Sequence, residues 1–363
     1  MHFHHLHFYV DNLSFWQRWF CDKLAFHVLQ SSRSPMVLKQ GGIEIWLSAP
    51  EELGTHELNT HGLNTHGTEV NQYLQQHPPG IVDIAFATEN FNTALAQARC
   101  HGAHQLTPIT TDQQGNRQCQ LQGWRHLRHT LVEVSAHWVQ AHRQPLSHPT
   151  HQQDWLSVID HVVINVPKGE LAIATDWYQN AFGLTPSQTF EITTEHSGLN
   201  SQVLVHPEGT LQLPINEPTS DNSQIQEFLQ HNRGAGVQHV ALRSRDAVGA
   251  IARFRQQGLS LLSVPNTYYD NLPNRIDCPL QDFSAIQQQQ LLIDWPQGGD
   301  KGMLLQTFTQ PIFAEPTFFF EIIERSHYRE NGQLKSTQGF GEGNFQALFE
   351  AIERAQMKRG ALT

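Results

Sequence analysis

Two histidines and a glutamate, His161, His239 and Glu321, stand in apolar surroundings along a chain of 363 residues. Their contexts, Asp160-His161-Val162-Val163-Ile164, Gln238-His239-Val240-Ala241-Leu242 and Phe319-Phe320-Glu321-Ile322-Ile323, read as three strands. A strand sends alternate side chains to one face, so each of the three can point into a shared cup. An ionised glutamate among phenylalanines and isoleucines is costly unless it is paired or binds a metal. Two neutral imidazoles and one carboxylate on one face, with the opposite positions open, suit the ferrous centre of a non-haem oxygenase. Both a substrate and O₂ could then reach the ion. Taken singly, either histidine reads as an ordinary core or surface residue, and Glu321 as a partner for Arg325. The three gain meaning together.

The elements that would position them are written twice. His5-Leu6-His7-Phe8-Tyr9-Val10 precedes a short amphipathic stretch, Phe15 to Phe20, and then Leu24-Ala25-Phe26. His161 to Val166 precedes Ala174 to Tyr178 and then Phe182-Gly183-Leu184. A second pair matches in the same way: Val82 to Phe86 leads into a predicted helix over Phe91 to Cys100 ended by Gly102, and Gln238 to Leu242 leads into one over Ala247 to Gln256 ended by Gly258. His161 follows His5 by 156 positions, and His239 follows Asp83 by the same 156. The simplest architecture is four βαβ-type modules forming two similar domains, residues 1–141 and 155–363, with a polar linker over 142–154. The first half carries His5 and Asp83 where the second carries two histidines. Its pair is broken, so residues 1–141 read as a structural domain.

Other segments are plainer. Gly54 to Gly67 repeats Thr-His and Leu-Asn-Thr phrases and reads as a loop insertion. Ser187 to Leu213 reads as extended strands with Gly198 and Gly209 as turns. Phe345, Leu348, Phe349 and Ile352 fall at i, i+3, i+4 and i+7, predicting an amphipathic helix over Asn344 to Lys358, capped by Asn344 and ended by Gly360.

Bulk properties exclude several classes. The formal charge is −11 with no concentration of Lys and Arg, which argues against nucleic acid or an anionic membrane as partner. The mean hydropathy is −0.44, and no apolar run approaches the roughly 20 residues of a membrane span. The start Met1-His2-Phe3-His4-His5 has no secretory pattern, so a cytoplasmic location is expected. Cys21, Cys100, Cys119 and Cys278 show no CxxC spacing and read as reduced thiols. Of 23 histidines most cannot be ligands; His4, His5, His7, His56, His61 and His66 read as composition.

Longer phrases carry a resemblance. Ile159-Asp160-His161-Val162-Val163, Leu213-Pro214-Ile215-Asn216-Glu217, Gly236-Val237-Gln238-His239-Val240-Ala241, Leu304-Leu305-Gln306-Thr307-Phe308-Thr309, Phe319 to Arg325 and Gly339-Phe340-Gly341-Glu342-Gly343-Asn344-Phe345 occur in that order. Over nearly all of residues 155–363 the chain resembles the 4-hydroxyphenylpyruvate dioxygenase family of the vicinal-oxygen-chelate superfamily. The first half matches only through Phe3-His4-His5 and the module pattern. The resemblance implies an α+β fold of paired βαβββ modules, each domain an open barrel-like sheet, with a C-terminal helix closing the active site. It implies Fe(II) on His161, His239 and Glu321, catalytic roles for Asn216, Gln224, Gln238 and Gln306, and substrate contacts from Ser201, Pro214, Phe308, Asn344, Phe345 and Phe349. The implied partners are an aromatic 2-oxo acid and O₂, within an oligomer of like chains. The implied reaction gives homogentisate and CO₂, for tyrosine breakdown or for quinone and tocopherol synthesis. These residue types suit such a substrate: phenylalanines can sandwich the ring, and amides can orient a phenol without adding charge.

Three rivals share the superfamily. 4-Hydroxymandelate synthase would use the same triad to hydroxylate the side chain. A ring-cleaving catechol dioxygenase usually needs a polar acid/base residue beside the metal, and the implied pocket offers amides and phenylalanines instead. A metal-free binding module would have lost ligands, as the His5/Asp83 pair has. The glutamine-rich stretch Asn271 to Gln290, read as a loop near the site, departs from the family, as does Gly54 to Gly67.

Overall fold

In the computed structural model the described residues are 1–357 apart from 32–34, 51–64, 113–114, 144–153, 195–196, 208–210, 273–282, 296–301, 331, 346, 348, 350–351 and 354–355. The first half runs β1 (His2–Tyr9), α1 (Leu13–Leu24), β2 (His27–Gln30), β3 (Met36–Gln40), β4 (Ile43–Ser48), α2 (Thr65–Gln76), β5 (Gly80–Thr88), α3 (Phe91–Cys100), β6 (Thr110–Thr111), β7 (Arg117–Gln122), β8 (Arg128–Glu133) and α4 (Ala136–Arg143). The second runs β9 (Leu156–Asn165), α5 (Leu171–Phe182), β10 (Thr185–Thr193), β11 (Gly198–Val205), β12 (Gln212–Pro218), α6 (Gln224–Asn232), β13 (Gly236–Ser244) and α7 (Ala247–Gln256). It continues with α8 (Asn266–Asp270), α9 (Ser284–Gln288), β14 (Leu292–Asp294), β15 (Leu304–Phe308), β16 (Phe319–Arg325) and the hairpin β17 (His327–Glu330) and β18 (Gln333–Ser336). A 3₁₀ turn, Glu342–Asn344, follows.

Each half is one eight-stranded sheet, with orders β2-β3-β4-β1-β5-β8-β7-β6 and β10-β11-β12-β9-β13-β16-β15-β14. The two are the same topology, four βαβββ modules in all, which is the vicinal-oxygen-chelate fold. Even the irregularities repeat. Leu6 pairs with Ile84 and His7 with Asp83, with register shifts on either side; in the second half Val163 pairs with His239, flanked by equivalent shifts. The helices predicted over Phe91 to Cys100 and Ala247 to Gln256 have those ends, and Asp246 Oδ1 caps the second by accepting from the Gly249 N–H at 2.8 Å.

Strand alternation divides each sheet into a core face and a cup face. On β16, Phe320 and Ile322 are completely buried in a core shared with the first half. Phe8 of β1 meets Phe318 edge-on at 5.3 Å, and Phe20 of α1 meets Phe320 at 6.0 Å. Their neighbours Phe319 and Glu321 therefore face the cup. A backbone bond from Gly42 N–H to Ser157 O, 2.7 Å, ties the β3–β4 turn to β9. Gly41, at φ +56°, passes so close to Leu156 O that a Cβ there would overlap it.

Some expectations need correction. Thr65, His66 and Gly67 open helix α2 rather than closing a loop; residues 54–64 lie outside the described residues. His142 and Arg143 finish α4, and the expected linker over 144–153 is likewise outside them. Part of the segment read as a loop over Asn271 to Gln290 is helix α9, because Ile286 turns inward and is buried. Asn344 sits in the 3₁₀ turn and does not cap a helix, since its side chain is engaged elsewhere. Helical backbone continues at Phe345, Ala347, Phe349 and Ile352; Leu348 and Gly360 are not among the described residues.

Candidate metal centre

His161 on β9, His239 on β13 and Glu321 on β16 come from three neighbouring strands, with Ala241 opposite both His161 and Glu321 in the register. Their ligand atoms all lie within 4.8 Å of one another. Glu321 Oε2 is 3.2 Å from His161 Nε2 and 3.7 Å from His239 Nε2. Neighbouring ligands of a six-coordinate ion with bonds of about 2.1 Å lie about 3 Å apart, so the donor set fits one divalent cation. All three are buried, with the acid 2 % exposed.

Two β-bulges prepare the imidazoles. Neighbouring strand residues normally face opposite ways, yet the shift between Val237 and His239 lets both Gln238 and His239 line one cavity. The shift opposite Ala241 and Leu242 likewise frees Asp160 beside His161. Each bulged residue then holds its neighbour's Nδ1: Asp160 Oδ1 at 3.0 Å from His161 and Gln238 Oε1 at 3.4 Å from His239. That leaves both Nε2 atoms to face Glu321. Asp160 is itself gripped by Arg325 through both oxygens, at 2.7 and 2.8 Å, and by Arg243 at 2.6 Å. Burial alone would raise the Asp160 pKa, but the two guanidinium groups hold it well below the usual carboxylate range.

The electrostatics describe a site that binds a proton when no cation is present. Burial disfavours a charged His161, but Glu321 and Asp160 outweigh it and push the pKa up to about 9. His239 moves the other way, well below 6.5, through burial and the neighbouring His161 charge. One imidazole thus stays neutral while the other must lose a proton to become a ligand.

The triad forms part of the wall of a cavity of about 670 Å³, counting its open mouth. Ser201, Pro214, Asn216, Gln224, Gln238, Gln306, Phe308, Phe345 and Phe349 all line it, as does Phe340. Asn344 does not; it stands behind Gln306. Gln306 reaches the cavity, but its Nε2 donates to Glu321 Oε1 at 3.0 Å and its Oε1 accepts from Asn344 Nδ2 at 3.0 Å. Gln224 Oε1 is buried without a hydrogen-bond partner among the described residues, and Asn216 Nδ2 donates to Asn165 Oδ1 at 3.3 Å. Phe190 closes the aromatic wall edge-on against Phe345 at 4.8 Å, and Phe340 lies 5.2 Å from the His161 ring. Among the described lining residues only the triad is ionisable.

Several lining residues escaped the sequence reading, and period-two alternation would have found them. Val163 lies two beyond His161, Phe319 two before Glu321, and Leu199 and Val203 flank Ser201 by two. Phe190 and Ile192 alternate with polar residues along β10 and lie on its half-buried face.

Residues 158–274 match the Glyoxalase/Bleomycin resistance protein/Dioxygenase superfamily. The 4-hydroxyphenylpyruvate dioxygenase of Danio rerio is 32 % identical over 383 aligned residues, covering 100 % of this chain and 92 % of that one. The chain belongs to the 4-hydroxyphenylpyruvate dioxygenase family. A second family member, from Caenorhabditis briggsae, is 36 % identical across 81 % of this chain and 77 % of its own. The Synechocystis protein slr0090, described as uncharacterized, is 31 % identical with 97 % of both chains covered. A mutant 4-hydroxymandelate synthase from Streptomyces coelicolor superposes with a TM-score of 0.76 over 98 % of both chains. At 22 % identity that likeness speaks for the fold. As a member of the 4-hydroxyphenylpyruvate dioxygenase family, the chain is an oxidoreductase, and its buried triad is a candidate metal site of the kind such metal-dependent enzymes need.

Proposed function

We propose that this dioxygenase converts 4-hydroxyphenylpyruvate and O₂ into homogentisate and CO₂, with Fe(II) held by His161, His239 and Glu321. One observation carries the reading: a two-histidine, one-carboxylate cluster opens into an aromatic slot that has no other ionisable lining residue among the described residues. Among the described residues, a 2-oxo acid entering such a slot meets no lysine or arginine to bind its carboxylate, which leaves the cation as the partner for that end. Fe(II), when bound, supplies the redox chemistry of O₂ activation and oxidative decarboxylation.

The protein's part is to bind, orient and keep dry. Phe308, Phe345 and Phe349 offer apolar faces to the substrate ring. Asn216, Gln224 and Gln238 offer neutral donors and acceptors at the phenol end, and the unpartnered Gln224 Oε1 is free to accept from the hydroxyl. Phe190 packs edge-on against Phe340 and Phe345 on the cavity wall, and these apolar rings leave water no polar partner there. Residues 1–141 act as a structural partner.

The test is product analysis. Purified protein with Fe(II) and ascorbate should consume O₂ with 4-hydroxyphenylpyruvate and yield homogentisate by chromatography. Hydroxymandelate would assign the chain to side-chain hydroxylation. Absence of turnover in a fully metallated sample would make it a binding protein.

A further inference from the structure

The oxygen of Glu321 that faces away from the imidazoles ends a long hydrogen-bond chain. Glu321 Oε1 accepts from Gln306 Nε2 at 3.0 Å. Gln306 Oε1 accepts from Asn344 Nδ2 at 3.0 Å, and Asn344 Oδ1 accepts from the Tyr268 hydroxyl at 2.7 Å. The Tyr268 oxygen in turn accepts from the Ile293 N–H at 2.8 Å. Ile293 O lies within 3.1 Å of the same hydroxyl, but that group has one hydrogen and the shorter contact is to Asn344. Tyr268, Asn344, Gln306 and Glu321 are all buried. Every donor in the chain points toward the carboxylate. Bonds arranged head to tail in this way polarise one another, and the last is charge-assisted. The packing is close: a Cβ on Gly341, at φ +75°, would overlap Gln306 Oε1.

We propose that Tyr268 and Asn344 are positioning residues that act through Gln306 to fix the Glu321 carboxylate, tying the seating of the C-terminal segment to metal binding. The proposal rests on the reading of Glu321 as a ligand. A carboxylate held by one oxygen presents the other to the cation. Released, it can rotate and bind through both, taking a position that substrate or O₂ needs. Asn344 also leads directly into Phe345 and Phe349, which line the cavity. Whatever strengthens the carboxylate's grip on the ion then favours the seated segment, and by linkage the reverse holds to the same factor.

The experiment titrates chelator-stripped protein with Co(II), followed by visible absorption, in four variants. Tyr268→Phe should weaken binding about tenfold and Asn344→Asp about a hundredfold, the range for residues that orient a ligand. Asn344→Asp still accepts from Tyr268 but has no donor for Gln306, so either Gln306 Oε1 opposes the new carboxylate or the amide turns over and sets that oxygen against Glu321. Tyr269→Phe is the control: it loses a comparable bond, to Leu291 O at 3.0 Å, outside the chain, and should bind as wild type. Glu321→Ala should lose the site. As a second readout, Mn(II) should slow hydrogen exchange in the peptide carrying Phe345 and Phe349 in the wild type and Tyr269→Phe, but not in Tyr268→Phe. Tyr268→Phe keeps the test informative should Asn344→Asp not fold. Wild-type affinity and protection in Tyr268→Phe, with binding lost in Glu321→Ala, overturns the proposal. Undiminished binding in Glu321→Ala overturns instead the ligand reading beneath it.

Discussion

The molecule contains the same cup twice, and among the described residues only the second gathers side chains that could hold a cation. In the first half His5 occupies the position of His161, Asp83 that of His239, and Thr130, two beyond the Arg128 that pairs with Asp83, that of Glu321. The first cup is filled rather than open. Trp46 precedes Leu47 on β4 as Pro214 precedes Ile215 on β12, and its indole lies flat on the His5 ring at 3.8 Å. Asp83 accepts from the Thr130 N–H at 2.8 Å, the Thr130 hydroxyl at 2.6 Å and Gln120 Nε2 at 2.7 Å. Burial, aided by His4 and His7, holds His5 well below 6.5. The bulges beside His5 and Asp83 remain all the same. Backbone geometry is therefore common to both halves, and side-chain identity decides whether the cup becomes a core or a site.

Substitutions in corresponding places should separate the two. The largest effect belongs to Glu321→Ala, which should abolish metal binding and turnover with the fold largely retained by circular dichroism. Near-normal activity in that variant would undo the ligand assignment. Asp160→Ala comes next. It strands the buried Arg325 guanidinium, and urea denaturation should show a loss of about 3–5 kcal/mol. Asp83→Ala should cost about 1–3 kcal/mol by leaving Thr130 and Gln120 unpaired, while metal content and activity per folded molecule stay unchanged. A loss of metal there would give the first cup a role that its filled interior argues against.

The pH dependence is the gentlest test. The raised His161 pKa stabilises the metal-free fold fully below the unfolded value near 6.5, and that contribution disappears as pH rises through about 9. Metal binding has the opposite sign, because the same proton must leave. Affinity should rise about tenfold per pH unit through that window and then level off. His161→Ala protein, having lost the proton along with the ligand, should show no such slope.

The repeat made the fold readable from the sequence. Matched strands, helix ends and an offset of 156 residues carried the two-sheet topology without any contact being known, and the proposed ligands stood out because an acid among phenylalanines needs a reason to be there. Other features depended on contacts between segments distant in the chain. The bulges at Asp160 and Gln238 break the alternation that sequence patterns assume. Asn344 read as a helix cap and a substrate contact, whereas its partners, Tyr268 and Gln306, lie 76 and 38 residues away. Trp46 resembles any core tryptophan until its stacking on His5 is seen.

Anomalous diffraction from crystals soaked with Co(II) would locate the cation itself. One strong peak per chain is expected, within bonding distance of His161 Nε2, His239 Nε2 and Glu321 Oε2, and none beside His5 and Asp83. A peak in the first cup, or an ion bound away from those three atoms, would contradict it.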